Sequence, residues 1–104
     1  MNDGITMTWV LNLKPDVADL FWSDVAGGVS GTRSFPGCRR AVMYRNQADP
    51  NQIMLTSEWD SYQDYEKYSA WRAGSGRLLA GVASSELPSL LTSPSVRQFW
   101  NIQA

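Results

Sequence analysis

Histidine is absent from this chain of 104 residues, and cysteine occurs once, at Cys38. Without imidazole, the sequence excludes Ser-His-Asp and Cys-His catalytic arrangements, imidazole-ligated zinc or haem, and the commonest general base near neutral pH. A single cysteine has no partner for a disulfide within the chain, which agrees with a reducing compartment. Cys38 is therefore interpreted as a small apolar residue at the start of a strand.

An excess of one charge sign and a long apolar run are missing as well. Nine Lys and Arg stand against ten Asp and Glu, for a net charge of −1, so nothing here would neutralise a row of phosphates. No stretch approaches the roughly 20 apolar residues that span a bilayer, and the first eight residues lack the layout of a secretory signal. We expect no nucleic-acid partner, no membrane partner and a cytoplasmic location.

What the chain does contain is the pattern of one small α+β domain over residues 1–104, with 43% hydrophobic residues. Period-two alternation predicts strands at 5–13, 38–45, 52–59 and 96–102. Apolar residues at helical spacing predict a helix over 15–29, and Asp60 or Ser61 can cap a second helix that ends near Ala73. Residues 77–83 predict a further helical turn. This βαββαβ order is the ferredoxin-like arrangement, with a four-stranded antiparallel sheet and an extra short helix.

The predicted sheet has apolar or aromatic residues on both faces. Each of three strands carries such a pair at neighbouring positions: Trp9 and Val10, Met43 and Tyr44, Phe99 and Trp100. One layer of helices covers only one face of a sheet, so a second sheet is needed for the other. We therefore expect a homodimer.

An aromatic cluster follows the third strand. It consists of Trp59, Tyr62, Tyr65, Tyr68, Trp71 and Arg72. Three- and four-residue steps place Tyr62, Tyr65, Ser69 and Arg72 on one side of the helix, where they could sandwich a flat aromatic molecule. Arg72 or Arg77 could then hold a phenolate or carboxylate oxygen. The same aromatic residues could equally pack the helix on the sheet or fill the dimer interface.

Two short motifs resemble the antibiotic biosynthesis monooxygenase (ABM) family of dimeric α+β barrel proteins. They are the Pro36-Gly37-Cys38 turn before the second strand and the strand-end Glu58-Trp59 followed by Asp60-Ser61. The resemblance implies two protomers that pack their sheets face to face to close a barrel, each with a pocket between its sheet and its helices. Some members are monooxygenases that act on quinols or polycyclic phenols without a cofactor, and others degrade haem.

Site residues are implied by position in this resemblance. Trp59, Tyr65 and Arg77 are implied as catalytic. The aromatic cluster and its helix face give Tyr62, Tyr68, Ser69 and Arg72 as substrate-binding residues, and we expect no cofactor or metal. Two positions depart from the family: Leu55 or Thr56 stands where oxygenating members have Asn, and Ser69 stands near the usual His.

The function implied is a cofactor-independent monooxygenase in which a quinol or phenol supplies the electrons and molecular oxygen is the co-substrate. The alternative is a non-catalytic dimer that binds a small aromatic metabolite. Haem degradation is less expected, because without histidine the iron would need Tyr, Cys or Met as its axial ligand.

Overall fold

The computed structural model describes residues 3–19, 31–74, 77–79, 82–83 and 86–103. Within them the strands and helices with both ends described are β1 (Ile5–Asn12), β2 (Cys38–Arg45), β3 (Gln52–Trp59), α1 (Tyr62–Gly74), β4 (Arg77–Leu79), β5 (Val82–Ala83), α2 (Leu87–Leu90) and β6 (Val96–Asn101). The four strands predicted from alternation are confirmed to within one residue at each end.

The four long strands form one antiparallel sheet in the order β2-β3-β1-β6. In the centre of the sheet, Trp9 pairs with Leu55 on one side and with Arg97 on the other. Directly paired residues share a face, so this register places Trp9, Leu55 and Arg97 on the same side. Alternate residues of β1 and β3 are buried on that side and form most of the hydrophobic core.

Helix α1 packs over the buried face of the sheet. It begins after Ser61, whose Oγ accepts a hydrogen bond from the Asp64 amide at 3.2 Å and donates one to Asp64 Oδ2 at 2.9 Å. These bonds confirm Ser61, one of the two residues predicted to cap this helix, as its N-cap. Tyr65 and Tyr68 face inward from α1 and contact the buried ring of Trp59, with ring centroids 5.9 and 5.1 Å away.

The prediction of a helical turn over 77–83 is wrong. There β4 and β5 pair as antiparallel strands, with Arg77 opposite Ala83. A segment of seven residues is too short to form a stable helix alone, whereas pairing satisfies its backbone hydrogen bonds. The extra short helix is instead α2, which carries Pro88 in its first turn, where a missing amide hydrogen is tolerated.

The predicted helix over residues 15–29 falls mostly outside the described residues. Residues 17–19 and 31–33 are helical, and 20–30 lie outside the description. Among the described residues no helix has the length and apolar character required to cross a membrane.

The sheet face opposite α1 carries large apolar side chains that the described part of the chain leaves exposed. Trp100 is 53% exposed, Val96 52% and Tyr44 43%. Trp100 is held in place on this face, because its Nε1 donates a hydrogen bond to Thr8 Oγ1 at 3.0 Å. The sheet therefore has the two apolar faces that its sequence predicts. We call the side opposite α1 the open face.

Candidate functional site

A cavity of about 130 Å³ lies between the buried face of the sheet and helix α1. Met7, Trp9, Leu55 and Ser57 line it from β1 and β3. Helix α1 contributes Tyr65, Tyr68, Ser69 and Arg72, and further polar lining comes from Thr32, Thr56 and Arg97. Indole, phenol and aliphatic groups thus surround a small number of polar side chains, as is typical of small-molecule sites.

Two polar side chains contact the Tyr68 hydroxyl. Thr32 Oγ1 lies 2.8 Å from it, and Arg72 Nε donates a hydrogen bond to it at 2.9 Å. Arg72 also donates to Thr32 Oγ1 at 3.2 Å. The guanidinium of Arg72 lies over the rings of Tyr68 and Trp71, 5.3 and 5.0 Å from their centroids. These contacts fix both the position of the charge and the plane of the guanidinium.

A second cation, Arg97, lies against the cavity wall on β6. Its guanidinium carbon is 4.0 Å from the ring centroid of Trp9, within the range of a cation–π interaction. It also donates a hydrogen bond to the Tyr65 hydroxyl at 3.2 Å. Burial raises the pKa of Tyr65, while the Arg97 charge and a hydrogen bond with Ser69 act in the opposite direction. The Tyr65 hydroxyl therefore keeps its proton at neutral pH.

Trp59 is fully buried and does not line the cavity. Its Nε1 donates a hydrogen bond to Ser57 Oγ at 2.8 Å, and Ser57 does line the cavity. Phe35 contacts the indole edge-to-face, with centroids 6.3 Å apart. Trp59 reaches the cavity through Ser57, so its position suits a residue that holds the wall in place.

The structure brings together four of the residues selected from the sequence: Tyr65, Tyr68, Ser69 and Arg72 all line the cavity. Tyr62 lies outside it, 43% exposed, with its ring 5.1 Å from that of Phe99. Arg77 is the first residue of β4. Both Leu55 and Thr56, the two candidates for the family's Asn position, are among the lining residues.

Sequence reasoning missed Thr32, Ser57 and Arg97 as site residues. A signal existed for two of them. Ser57 is a polar residue between Leu55 and Trp59 on the buried side of β3, and Arg97 is a charged residue on the Phe99 side of β6. A buried polar side chain such as Ser57 needs a partner, and a charged side chain on the core-facing side of a sheet has to reach solvent, as the exposed Arg97 does. Thr32 gave no such signal, because its approach to Tyr68 depends on tertiary packing.

The charged groups of the cavity are of one sign. Arg72 and Arg97 line it, and none of the described lining residues is a carboxylate. Across the described chain, no three His, Cys, Asp or Glu side chains gather into a set that could hold a metal ion. Two guanidinium groups beside aromatic walls can bind an anionic or electron-rich aromatic molecule.

Residues 5–73 match the model of the family described as antibiotic biosynthesis monooxygenase. The chain belongs to this family. The match covers β1 to β3 and nearly all of α1, which includes the aromatic wall of the cavity, and it ends before Arg97. The resemblance seen in the short motifs is therefore confirmed over most of the domain. No curated protein matches the sequence.

Solved structures agree with ABM membership at the level of the fold. A conserved protein from Methanosarcina mazei Go1 superposes with a TM-score of 0.80 at 13% identity, covering 96% of this chain and 93% of its own. A structure described as an antibiotic biosynthesis monooxygenase superposes with a TM-score of 0.79 at 16% identity, and the match covers 96% of this chain and 99% of that one. Rv0793 from Mycobacterium tuberculosis superposes with a TM-score of 0.73 at 16% identity, and the match covers 98% of this chain and 97% of that one. The ferredoxin-like α+β architecture predicted for this ABM chain is confirmed.

Proposed function

We propose that this ABM protein binds an electron-rich phenol or quinol and oxygenates it with molecular oxygen, without a cofactor. The observation that carries the proposal is the cavity of about 130 Å³ in which aromatic walls surround Arg72 and the Tyr65 hydroxyl. A dry cavity of about 150 Å³ is known to hold benzene. A cavity of this order accommodates one aromatic ring, so monocyclic phenols and quinols are the first substrates to test.

The substrate itself supplies the electrons. Its hydroxyl gives up a proton to solvent water, and the resulting phenolate reacts with O₂ at a ring carbon bearing hydrogen. One oxygen atom bonds to that carbon, which loses its hydrogen and becomes a carbonyl. The other oxygen atom leaves as water, so phenol and O₂ give quinone and water. The protein need only orient the ring, exclude water and stabilise the anion.

Arg72 is the proposed anion-stabilising residue. Its guanidinium is fixed by Tyr68 and Thr32 at hydrogen-bond distance, so it is preorganised for a phenolate oxygen. Tyr65 is the proposed proton donor to the departing oxygen, because its raised pKa keeps it protonated at neutral pH. Ser69 lines the cavity one helical turn further along and would contact the ring.

The remaining predicted site residues take different positions in this proposal. Trp59 acts as a positioning residue, because it contacts the cavity wall through Ser57. Tyr62 packs on Tyr65 with ring centroids 6.1 Å apart and would support the proton donor from outside. Arg77 stays a candidate for a second contact to the anion, on the resemblance to the family alone.

A non-catalytic binding protein is the second candidate, and one observation favours it. The described lining residues include neither a carboxylate nor an imidazole that could remove the substrate's proton. Tyr65 cannot serve at neutral pH, since its pKa is raised. A protein that only binds a small aromatic molecule needs no such base. The two candidates share the ligand and differ in whether O₂ is consumed.

Oxygen uptake with a panel of monocyclic phenols and quinols tests the reaction. We expect protein-dependent uptake above autoxidation, and Arg72→Gln should lower kcat by about 10²–10³, as loss of an oxyanion-stabilising donor does. Arg40→Gln is the matched control, because Arg40 is an exposed arginine on β2 that does not line the cavity. Anaerobic binding without any uptake would select the binding protein, and absence of both binding and uptake would contradict both candidates.

We also propose that a second copy of the chain covers the open face to form a homodimer. The support is the set of large apolar side chains there, with Trp100 53% exposed. Replacing Trp100 with Arg should convert the dimer to a monomer in light scattering at micromolar concentration. Trp71→Arg is the matched control, since Trp71 is 50% exposed on α1 and lies away from the open face. A wild-type chain that scatters as a monomer overturns this proposal.

A further inference from the structure

Arg97 is the polar group of the cavity that the proposed reaction leaves unused. It comes from β6, beyond the residues that match the family model, and it lines the cavity beside Trp9. Within the described residues, its side chain makes a hydrogen bond to Tyr65 and a stacking contact with Trp9, and no carboxylate forms an ion pair with it. A cation held this way is accessible to an anion that enters the cavity.

The surroundings of Arg97 increase its attraction for an anion. The guanidinium lies over the indole of Trp9 while the residue stays exposed on β6, and the neutral Tyr65 hydroxyl brings no opposing charge. These contacts hold the charge in one position, so the side chain loses little freedom when an anion binds. The planar guanidinium also offers parallel N–H groups, the geometry that matches a carboxylate.

Arg97 and Arg72 contact different hydroxyls of α1. Arg97 donates to Tyr65, and Arg72 donates to Tyr68, one helical turn further along. The rings of these two tyrosines are 6.3 Å apart, centroid to centroid. A one-ring ligand between the two can present an oxygen to each cation.

We infer that the ligand of this cavity is an aromatic acid of one ring, with its carboxylate at Arg97 and its phenolic oxygen at Arg72. The inference rests on the proposed function only for the second of these contacts. Arg97 is then the residue that selects acids over neutral phenols, and the carboxylate fixes which ring carbon faces the incoming oxygen.

Calorimetric titration with 4-hydroxybenzoate and 4-hydroxybenzamide tests the inference. The two probes have nearly the same shape, and only the benzoate is charged at pH 7. We expect the acid to bind at least tenfold more tightly than the amide. Arg97→Gln should remove this preference, because it weakens binding of the acid at least tenfold more than binding of the amide. Arg40→Gln, which alters an exposed arginine outside the cavity, should keep the preference.

Arg97→Lys separates charge from structure. This variant keeps the positive charge but loses the planar group on Trp9, and we expect it to retain part of the preference for the acid. Equal binding of the two probes by the wild-type protein overturns the inference. So does an Arg97→Gln variant that weakens both probes equally, because that pattern indicates a structural role.

The outcome is independent of the oxygen-uptake experiment. Preference for the acid without O₂ consumption leaves this inference standing and contradicts only the proposed reaction. Consumption of O₂ with neutral phenols, without preference for the acid, contradicts this inference and supports the reaction.

Discussion

Ser57 Oγ accepts a hydrogen bond from Trp59 Nε1 at 2.8 Å, and both side chains are buried. The two residues lie two positions apart on the same face of β3, so the indole holds a hydroxyl of the cavity wall. Trp59→Phe removes the donor and leaves the Ser57 hydroxyl without its partner. We expect a loss of about 1–3 kcal/mol in the free energy of unfolding, measured by urea denaturation.

The Ser57→Ala variant and the double variant complete this measurement. If the hydrogen bond couples the two residues, the double variant should lose about 0.5–1.5 kcal/mol less than the sum of the single losses. Strict additivity would show that the loss in Trp59→Phe comes from the missing ring volume alone.

The pH dependence of stability should include a contribution from Tyr65. Burial raises its pKa in the folded state above the ordinary value of 10.0, so the unfolded chain releases this proton first as the pH rises. The resulting contribution to the free energy of unfolding is complete at pH values below the ordinary pKa and is lost as the pH rises through the folded-state pKa. In urea denaturation between about pH 8 and 11, the free energy of unfolding should fall more steeply with pH for the wild type than for Tyr65→Phe.

Tyr62→Phe provides the control for that experiment. Tyr62 is 43% exposed and lies outside the cavity, so its replacement should leave the wild-type decline in place. Equal slopes for the wild type and Tyr65→Phe would contradict the prediction.

Two glycines should respond in opposite ways to replacement by alanine. Gly37 has φ +89, and an added Cβ would lie 2.6 Å from Asp64 Cγ, next to the capped start of α1. Gly37→Ala should therefore destabilise the fold by about 1–3 kcal/mol. Gly74, the last residue of α1, has no atom within 4 Å of an added Cβ, so Gly74→Ala should stabilise by about 0.4–1 kcal/mol. Thermal denaturation of both variants checks the signs.

The thiol of Cys38 should react slowly. Partial burial raises its pKa, and this effect exceeds the opposing contributions of a backbone hydrogen bond at Arg40 and the charge of Arg33. The thiolate is the reactive form, so alkylation by iodoacetamide at pH 8 should be slower in the folded protein than in urea. Equal rates in the two states would contradict a protective role of the fold.

The sheet was predictable from the sequence because its signal is local. Alternation in β1 and β3 matches their buried and half-buried residues position by position, and the Ser61 cap is readable from its neighbour three residues on. The error at residues 77–83 has a physical reason as well. In so short a segment, pairing between strands decides the structure, and such pairing does not show in periodicity.

The site was predictable only on the side formed by α1. Helical spacing placed Tyr65, Ser69 and Arg72 together, because residues three and four apart share a face. The position of Trp59 behind Ser57, and the approach of Arg97 to Tyr65, depend on strand register and on packing between distant segments. A sequence pattern contains no information on which of several aromatic residues fills the core and which borders an empty space.

The Ile102 amide donates a hydrogen bond to the Gly4 carbonyl at 3.0 Å, at the end of the sheet where Ile5 pairs with Asn101. Two positions nearly a hundred residues apart in sequence are thus spatial neighbours. A circular permutant that joins them through a short peptide and opens the exposed β2–β3 connection at 46–51 should preserve every strand pair of the large sheet. Fluorophores placed at the new ends would report on the hairpin without touching the cavity.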